Sequence, residues 1–303
     1  MWAMSAQGVR SDEHLSQLIS GSNFAAQEKL DGVRAIIHVC KEGLRIFSRS
    51  AGVDDPTRPL EKTSSLPHLA SMQLPQLVGT ILDAEILAPG IDVASMSGAI
   101  HSKHASTTNG LVKAFVFDVL RYNGEDISSR TLHQRIGVLE TLKKHIHSPD
   151  IIFLPWAFTA NDKRKLYDDV LKQGGEGIML KRLDATYLQG GRPANNWFKA
   201  KKSATFDCVI MGFTKGKGKY NSHIGAVRFG QYVGKCLVEF VQASGMSDTL
   251  RSEMTANSGK YIGQVVLIKG MQRLRSGKIR HPIFVGLRSD KKPTDCIYYI
   301  SEQ

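Results

Sequence analysis

The sequence predicts an α+β protein in two parts: antiparallel sheets with helices over residues 1–203, then a small β-barrel of the OB type over residues 204–303. Three observations carry this. Short segments alternating apolar and polar residues recur along the chain, separated by Gly, Pro and Ser. Two longer stretches, Ser129–His145 and Asp162–Gln173, repeat at helical spacing. Beyond Lys202 five short strands and one helix recur within roughly a hundred residues, the usual make-up of a small barrel.

A helical lead-in is expected near Ser11–Ser20. Strands at Val33–Cys40 and Leu44–Arg49 form a hairpin through Lys41-Glu42-Gly43, followed by a loop with Pro56 and Pro59. Gly79–Leu87 reads as a strand, Ser97–Thr108 as a polar loop, and Val112–Leu120 as a buried strand. In Ser129–His145, Leu132, Ile136, Leu139 and Leu142 share one face. Asn161 is the expected N-cap of the next helix and Gly174 its stop. Strands at Gly177–Lys181 and Asn195–Lys202 close the first part. The second has strands at Phe206–Phe213, Gly225–Tyr232, Lys235–Ala243, Gln264–Gly270 and Pro282–Leu287, with a helix at Ser247–Ala256.

The chain of 303 residues is 42% hydrophobic and 22% charged, as expected of a globular protein, and is long enough for two ordinary domains or one large one. Its longest apolar runs, Val209–Phe213 and Ile262–Ile268, are too short to span a bilayer. The first residues lack the basic segment and apolar core of a signal peptide, so a cytoplasmic setting and no membrane partner are expected. Lys and Arg outnumber Asp and Glu by 40 to 28, and the resulting +12 favours a polyanion, nucleic acid first. Cys40, Cys208, Cys236 and Cys296 are scattered and read as reduced, mostly buried strand residues. The histidines form no His-Glu-x-x-His, and His101 and His104 read as exposed loop residues.

Function centres on Glu28-Lys29-Leu30-Asp31-Gly32-Val33-Arg34, where a polar stretch enters a strand. A lysine amine attacks phosphorus only when neutral. With an ordinary pKa of about 10.4, about one in a thousand is neutral near pH 7.5, a handicap of roughly 4 kcal/mol. Nearby cations or a divalent metal reduce it. Lys199 and Lys201 alternate in Asn196-Trp-Phe-Lys-Ala-Lys and project from one strand face, a two-pronged surface for phosphate. Glu85 and Glu176, at strand ends, offer the hard oxygens that Mg²⁺ prefers.

The ordered series Lys29-Leu-Asp-Gly-Val-Arg34, Ser48-Arg49-Ser50, Leu82-Asp-Ala-Glu85-Ile, Phe117-Asp-Val-Leu, Glu176-Gly-Ile-Met-Leu-Lys181 and Trp197-Phe-Lys199-Ala-Lys201 resembles the motifs of covalent nucleotidyltransferases. Within them it is most similar to the ATP-dependent DNA ligases of minimal two-domain type. Leu287-Arg288-Ser-Asp290-Lys291-Lys-Pro293 resembles the last family motif, in the OB domain, so the match runs from Lys29 to Pro293.

The resemblance implies an adenylation domain over 1–203 and an OB-fold DNA-binding domain over 204–303. Lys29 would attack the α-phosphate of ATP and form lysyl-AMP. Gln27 would read the adenine edge, its side-chain oxygen accepting from the exocyclic amine, and Phe117 would stack on the base. Glu85 would hold the ribose, with Glu28 and Arg34 lining the same pocket. Lys199 and Lys201 would bind the reacting phosphates. Glu176, with Glu85 and Asp31, would hold Mg²⁺ or Mn²⁺. Arg49 would contact both nucleotide and the 5′-phosphate of a nick, and Arg192, Lys215, Lys217 and Lys219 would contact DNA. Arg288, Asp290 and Lys291 would close over ATP to orient the departing pyrophosphate, pivoting near Ser203.

The implied partner is nicked duplex DNA and the implied state a monomer. The segment before Lys29 is too short for the extra N-terminal DNA-binding domain of larger ligases, no zinc finger or BRCT-like module follows Gln303, and the barrel turns leave no room for a long hairpin latch. Ser-Ala-Gly after Arg49 carries one residue more than the usual family loop. Three alternatives stand beside the reading: an mRNA-capping guanylyltransferase, an RNA ligase, and a non-catalytic OB-fold nucleic-acid-binding protein. The capping enzymes' Trp-Lys-Pro-like strand contrasts with Trp197-Phe-Lys-Ala-Lys, and RNA ligases usually lack the Arg288–Lys291 pattern.

Overall fold

A computed structural model describes residues 1–303 except 53–54, 92–94, 97, 99, 101–109, 272, 274–276, 280 and 299–303. Most of the expected loop Ser97–Thr108, with His101 and His104, therefore lies outside the described residues. The chain divides into two units, Met1–Lys201 and Lys202–Gln303.

The first unit holds two sheets. The smaller runs β1 (Gln7–Gly8), β11 (Trp197–Lys201), β10 (Gly177–Arg182), β2 (Phe24–Glu28), antiparallel except for the β1–β11 pair. The larger runs β5 (Pro59–Glu61), β4 (Gly43–Ala51), β3 (Val33–Cys40), β6 (Ile81–Leu87), β7 (Lys113–Tyr122), β8 (Glu125–Asp126), with β9 (Ile151–Phe153) parallel to β7.

Strand alternation divides the core between their faces. Ala35, Ile37 and Val39 of β3 enter one apolar cluster with Leu82, Ala84 and Ile86 of β6. Ile36, between them, turns to the other face and joins Phe117, Tyr187 and Trp197 where the two sheets meet. The outer face of the smaller sheet packs on helices Asp12–Ser20 and Ala160–Lys172.

Hydroxyl caps decide where the helices begin. Ser11 accepts from the His14 amide. Helix Leu132–Lys143 is shorter than the expected Ser129–His145, and it starts at the first apolar residue of its face because Thr131 and Gln134 form a reciprocal capping box. Helix Ala160–Lys172 is capped by Thr159, which accepts from the Asp162 amide, and not by the expected Asn161. Strand β11 begins at Trp197 because Asn195 lies at φ +61°, outside the strand region.

The second unit is a five-stranded antiparallel sheet: β14 (Cys236–Ala243), β13 (Ile224–Val233), β12 (Ala204–Lys215), β15 (Val265–Gly270), β16 (Ile283–Leu287). A parallel bridge from Ser244 to Ile283 joins its two edges into a barrel, and helix Asp248–Ala256 lies between β14 and β15. Val227, Phe229, Met254, Ile268 and Phe284 are in its core. The cysteines are unbridged, but Cys40 is half-buried, Cys236 is exposed and Cys296 follows a 3₁₀ turn, so Cys208 alone has the expected buried strand setting.

Candidate active site

The polar residues singled out above converge in the first unit. A cavity of about 480 Å³, within the range of small-ligand pockets, is lined by Gln27, Glu28, Lys29, Arg34, Arg49, Glu85, Phe117, Arg192, Lys199 and Lys201. Met4, Ser5 and Ala6 add a wall that the sequence does not signal. This segment is anchored where Ser5 N donates to Gly191 O at 2.8 Å and the Met4 amide to Tyr187 Oη at 2.8 Å. Asp31 and Glu176 are not on the wall, and Lys215, Lys217, Lys219, Arg288 and Lys291 belong to the second unit.

Backbone register builds the corner around Lys29. Lys29 leaves β2 with its amide donating to Gly177 O at 2.8 Å, and Gly177 faces Lys201 across β10 and β11. A Cβ on Gly177 would meet Ala200 O at 2.0 Å, and its φ of +138° is one that L side chains rarely adopt. Only glycine brings the strands this close. Gly32 has a similar role, since a Cβ there would meet Ile86 O at 2.5 Å.

Glu176, whose side chain is 3% exposed, consequently lies between two ammonium groups. Its Oε2 accepts from Lys29 Nζ and its Oε1 pairs with Lys201 Nζ. Burial, then Lys201, Lys29 and Arg192, hold the Lys199 ammonium below its usual pKa. Lys29, Lys199 and Lys201, with Arg49 and Arg192 also on the wall, thus gather around a carboxylate and a cavity, an arrangement suited to polyphosphate.

Gln27 and Arg34, both on the cavity wall, are already held by other groups of the protein. Gln27 is buried, but its Oε1 already accepts from Lys181 Nζ at 2.7 Å, and its Nε2 donates to Leu154 O at 3.2 Å. Lys181, to which the sequence pattern assigns no role, is fully buried, with Phe117 and Trp197 ring centroids each 4.3 Å from Nζ. Burial pushes its pKa down to about 7. Only its place at the end of Glu176-Gly-Ile-Met-Leu-Lys181 hints at it. Arg34 lines the cavity as expected; its guanidinium is engaged by Asp83, with Nη2 2.6 Å from Oδ2, and stacks 4.5 Å from the Phe117 centroid. Tyr187 donates to the same carboxylate at 2.6 Å, so Arg34 is a buttress of the wall. Its pKa is pulled down by burial but raised further by Asp83, leaving it firmly protonated.

Glu85 lines the cavity, and burial pushes its carboxyl up to about 7 against the pull of Arg34 and Lys29. Glu28 is raised by burial as well. Among the described residues no three His, Cys, Asp or Glu side chains gather around a metal-sized point, so the expected trio of Glu176, Glu85 and Asp31 is not assembled. Mg²⁺ needs no such cage: one or two carboxylates suffice when phosphates supply the remaining oxygens. Glu85 on the wall and Glu176 beside it fit that requirement in kind and number.

In the second unit the basic turn carries Lys215, Lys217 and Lys219, all exposed. Lys219 lies 3.9 Å from Asp248 and over the Tyr220 ring, while Tyr220 Oη donates to Asp248 at 2.7 Å. Arg288 pairs with Asp290 and, at 3.3 Å, with Asp207. No helix among the described residues is long and apolar enough to cross a membrane.

Residues 3–201 match the family model described as ATP dependent DNA ligase domain. A DNA ligase of Natronomonas pharaonis is 28% identical across 97% of this chain and 56% of its own length. Probable DNA ligases of Dictyoglomus turgidum and Sorangium cellulosum are 30% and 31% identical, over 69% and 71% of this chain and 37% and 41% of theirs. The chain thus spans about half or less of these curated relatives. Among solved structures, one described as a minimal scaffold from Lig E DNA ligases has a TM-score of 0.67 at 19% identity, covering 95% of this chain and 99% of that one. The ligase domain of M. tuberculosis LigD has a TM-score of 0.55 at 20% identity, over 99% and 98%. At these identities the likeness is one of fold, a nucleotidyltransferase domain with an OB-fold domain.

Proposed function

The chain belongs to the ATP-dependent DNA ligase family, and we propose that it seals 5′-phosphate/3′-hydroxyl nicks in duplex DNA with ATP as cofactor. The observation that carries this reading is the sharing of Glu176 by Lys29 and Lys201, with Lys199 on the adjoining cavity wall. A nucleophilic lysine needs its proton removed and its target phosphate neutralised, and this corner offers a group for each task.

In the first step the Lys29 Nζ proton passes to Glu176 Oε2, the atom it touches. The freed lone pair forms an N–P bond at the α-phosphorus, and the α–β bridging oxygen leaves with pyrophosphate. Lys199 and Lys201 hold the phosphate oxygens, so much of the acceleration comes from alignment and charge. Bound Mg²⁺, held by Glu85 together with phosphate oxygens, would withdraw further charge from phosphorus. A 5′-phosphate oxygen of the nick, steered by Arg49 and Arg192, then displaces the lysine amine to give adenylated DNA. The 3′-hydroxyl finally attacks that phosphate and AMP departs. We assign Arg288 and Lys291 to the leaving pyrophosphate on the sequence pattern alone.

Base choice follows from chemistry at the far end of the cavity. Leu154 O is an acceptor and Lys181 Nζ a donor, and both residues line the cavity beside Gln27. Adenine offers the matching donor and acceptor, its exocyclic amine and N1. Guanine offers the reverse order and would leave two buried groups opposed. Lys181 and the Leu154 carbonyl therefore take over the reading that the sequence assigns to the Gln27 oxygen.

The decisive experiment offers a 5′-phosphorylated nick with ATP, GTP and NAD⁺ in parallel, alongside an RNA nick. ATP-dependent sealing of DNA, with label from α-labelled ATP on Lys29 and none on Lys29→Ala, is the expected result. Labelling by GTP indicates the capping reaction, and sealing restricted to RNA indicates an RNA ligase. Labelled Lys29→Ala protein would show that another residue is the nucleophile.

A further inference from the structure

Within the second unit one carboxylate touches both cations that the sequence pattern assigns to pyrophosphate. Asp207 Oδ1 lies 3.3 Å from Arg288 Nη1, and Asp207 Oδ2 lies 3.7 Å from Lys291 Nζ. The first contact joins residues 81 apart in sequence.

Both sides of it are tied to barrel backbone. Asp207 sits in β12 opposite Leu267 of β15, and its own carbonyl accepts from Gln231 Nε2 at 2.8 Å. The Arg288 amide donates to Val265 O at 2.8 Å, which fixes the start of the side chain where β16 ends. Arg288 also forms a two-pronged pair with Asp290, Nε to Oδ1 and Nη2 to Oδ2, each 2.7 Å. Asp290 is exposed and only two residues away, so that pair moves with its own turn. Asp207 is the contact that relates the guanidinium plane to the barrel.

As a source of stability the link is weak. Its partners are 30% and 25% exposed and its distances long, and such pairs contribute about 0–1 kcal/mol. Orientation is the larger effect, because a guanidinium is a planar fork whose direction decides which oxygens it can meet. Three of its five N–H groups are engaged by Asp290 and Asp207, leaving two for an incoming oxygen.

We propose that Asp207 is a positioning residue for the adenylation step, presetting Arg288 and Lys291 as one pyrophosphate-binding pair. The proposal rests on the ligase reading above. It separates the reaction's steps, since pyrophosphate leaves only in the first, and sealing of a nick that already carries AMP involves none.

The full chain is tested in two assays: single-turnover transfer of label from α-labelled ATP to Lys29, and sealing of a pre-adenylated nick. Asp207→Asn should slow the first about ten-fold, the scale of a modest loss of alignment, and leave the second within about two-fold. In a background of Arg288→Ala with Lys291→Ala, adding Asp207→Asn should cost nothing further, because Asp207 acts through those side chains. The denaturation midpoint should stay within the small range of an exposed ion pair. Equal slowing of both steps, full additivity in the cation-free background, or an unchanged or faster first step would overturn the positioning role. If the parent protein takes no label from ATP, the ligase reading itself falls. A labelled parent with an indifferent Asp207→Asn overturns the positioning role alone.

Discussion

Lys29 and Lys201 share a single buried carboxylate, with one oxygen of Glu176 to each ammonium. The arrangement follows from register: Gly177 pairs with Lys201, the Lys29 amide binds Gly177 O, and Glu176 lies one residue before that junction. Glu176→Gln keeps the shape and removes both the proton acceptor and the charge that balances the lysines. Transfer of label from α-labelled ATP should fall about 10²-fold, the lower range for loss of a general base. A rate within a few-fold of the parent would assign proton removal to another group.

Gly177→Ala acts on the same corner through the backbone. The added carbon collides with Ala200 O, and the φ of +138° disfavours any side chain. Strain of this type costs about 1–3 kcal/mol, and the collision adds to it. A destabilisation of about 2–4 kcal/mol in urea is expected, within the tail of single substitutions. Restoration by neighbouring small-residue changes is not expected, because the obstacle is main chain. An undiminished midpoint would show that β10 and β11 can separate freely.

Lys181 gives a pH signature. Burial holds its folded pKa near 7, while the ordinary value is 10.5. Between those pH values the unfolded chain binds more protons than the folded one, so stability contributed at this site rises with pH. Below about pH 7 lysine is charged in both states and the burial cost is complete; above about 10.5 it is neutral in both. Lys181→Met should therefore gain most relative to the parent near pH 6, with the difference shrinking steadily toward pH 10. Urea midpoints measured across that range test this, and parallel curves would refute it. Under the proposed base reading, the same variant should lose preference for ATP over GTP in the labelling assay.

Most of the polar side chains that line the cavity are legible in the amino-acid order itself. Lys29, Glu85, Glu176, Lys199 and Lys201 stand in an order few unrelated sequences share, and all but Glu176 line the cavity. What stays hidden depends on partners distant in sequence or on main-chain atoms. Lys181 meets Gln27 only because Met179 pairs with Gln27 across β10 and β2. Leu154 contributes a carbonyl, which any residue type could supply. The Met4–Ala6 wall depends on β1 joining β11 in parallel, a pairing with no local sequence mark. Arg34 lines the cavity as its place in the series implies, but its pairing with Asp83, 49 residues away, has no mark in the sequence. Helix starts depend on which of several adjacent polar residues caps: Ser129, Arg130 and Thr131 all precede Leu132, and only Thr131 forms the capping box with Gln134.

The basic turn of the second unit is where salt dependence should be read. Lys215 and Lys217 are exposed, and among the ion pairs of the described residues neither has an acidic partner, whereas Lys219 faces Asp248 at 3.9 Å. A lysine with an acidic neighbour contributes less to binding a phosphate backbone, because that neighbour repels the incoming charge. Each phosphate neutralised on B-form DNA contributes about 0.9 to the slope of log affinity against log salt. Lys215→Gln combined with Lys217→Gln should reduce that slope by about two, while Lys219→Gln should reduce it by clearly less than one. Binding titrations of nicked duplex from low to physiological salt measure both. Equal slopes for the parent and the double variant would place the phosphate contacts elsewhere on the barrel, and a full unit lost with Lys219→Gln would mean that Asp248 releases its lysine when DNA arrives.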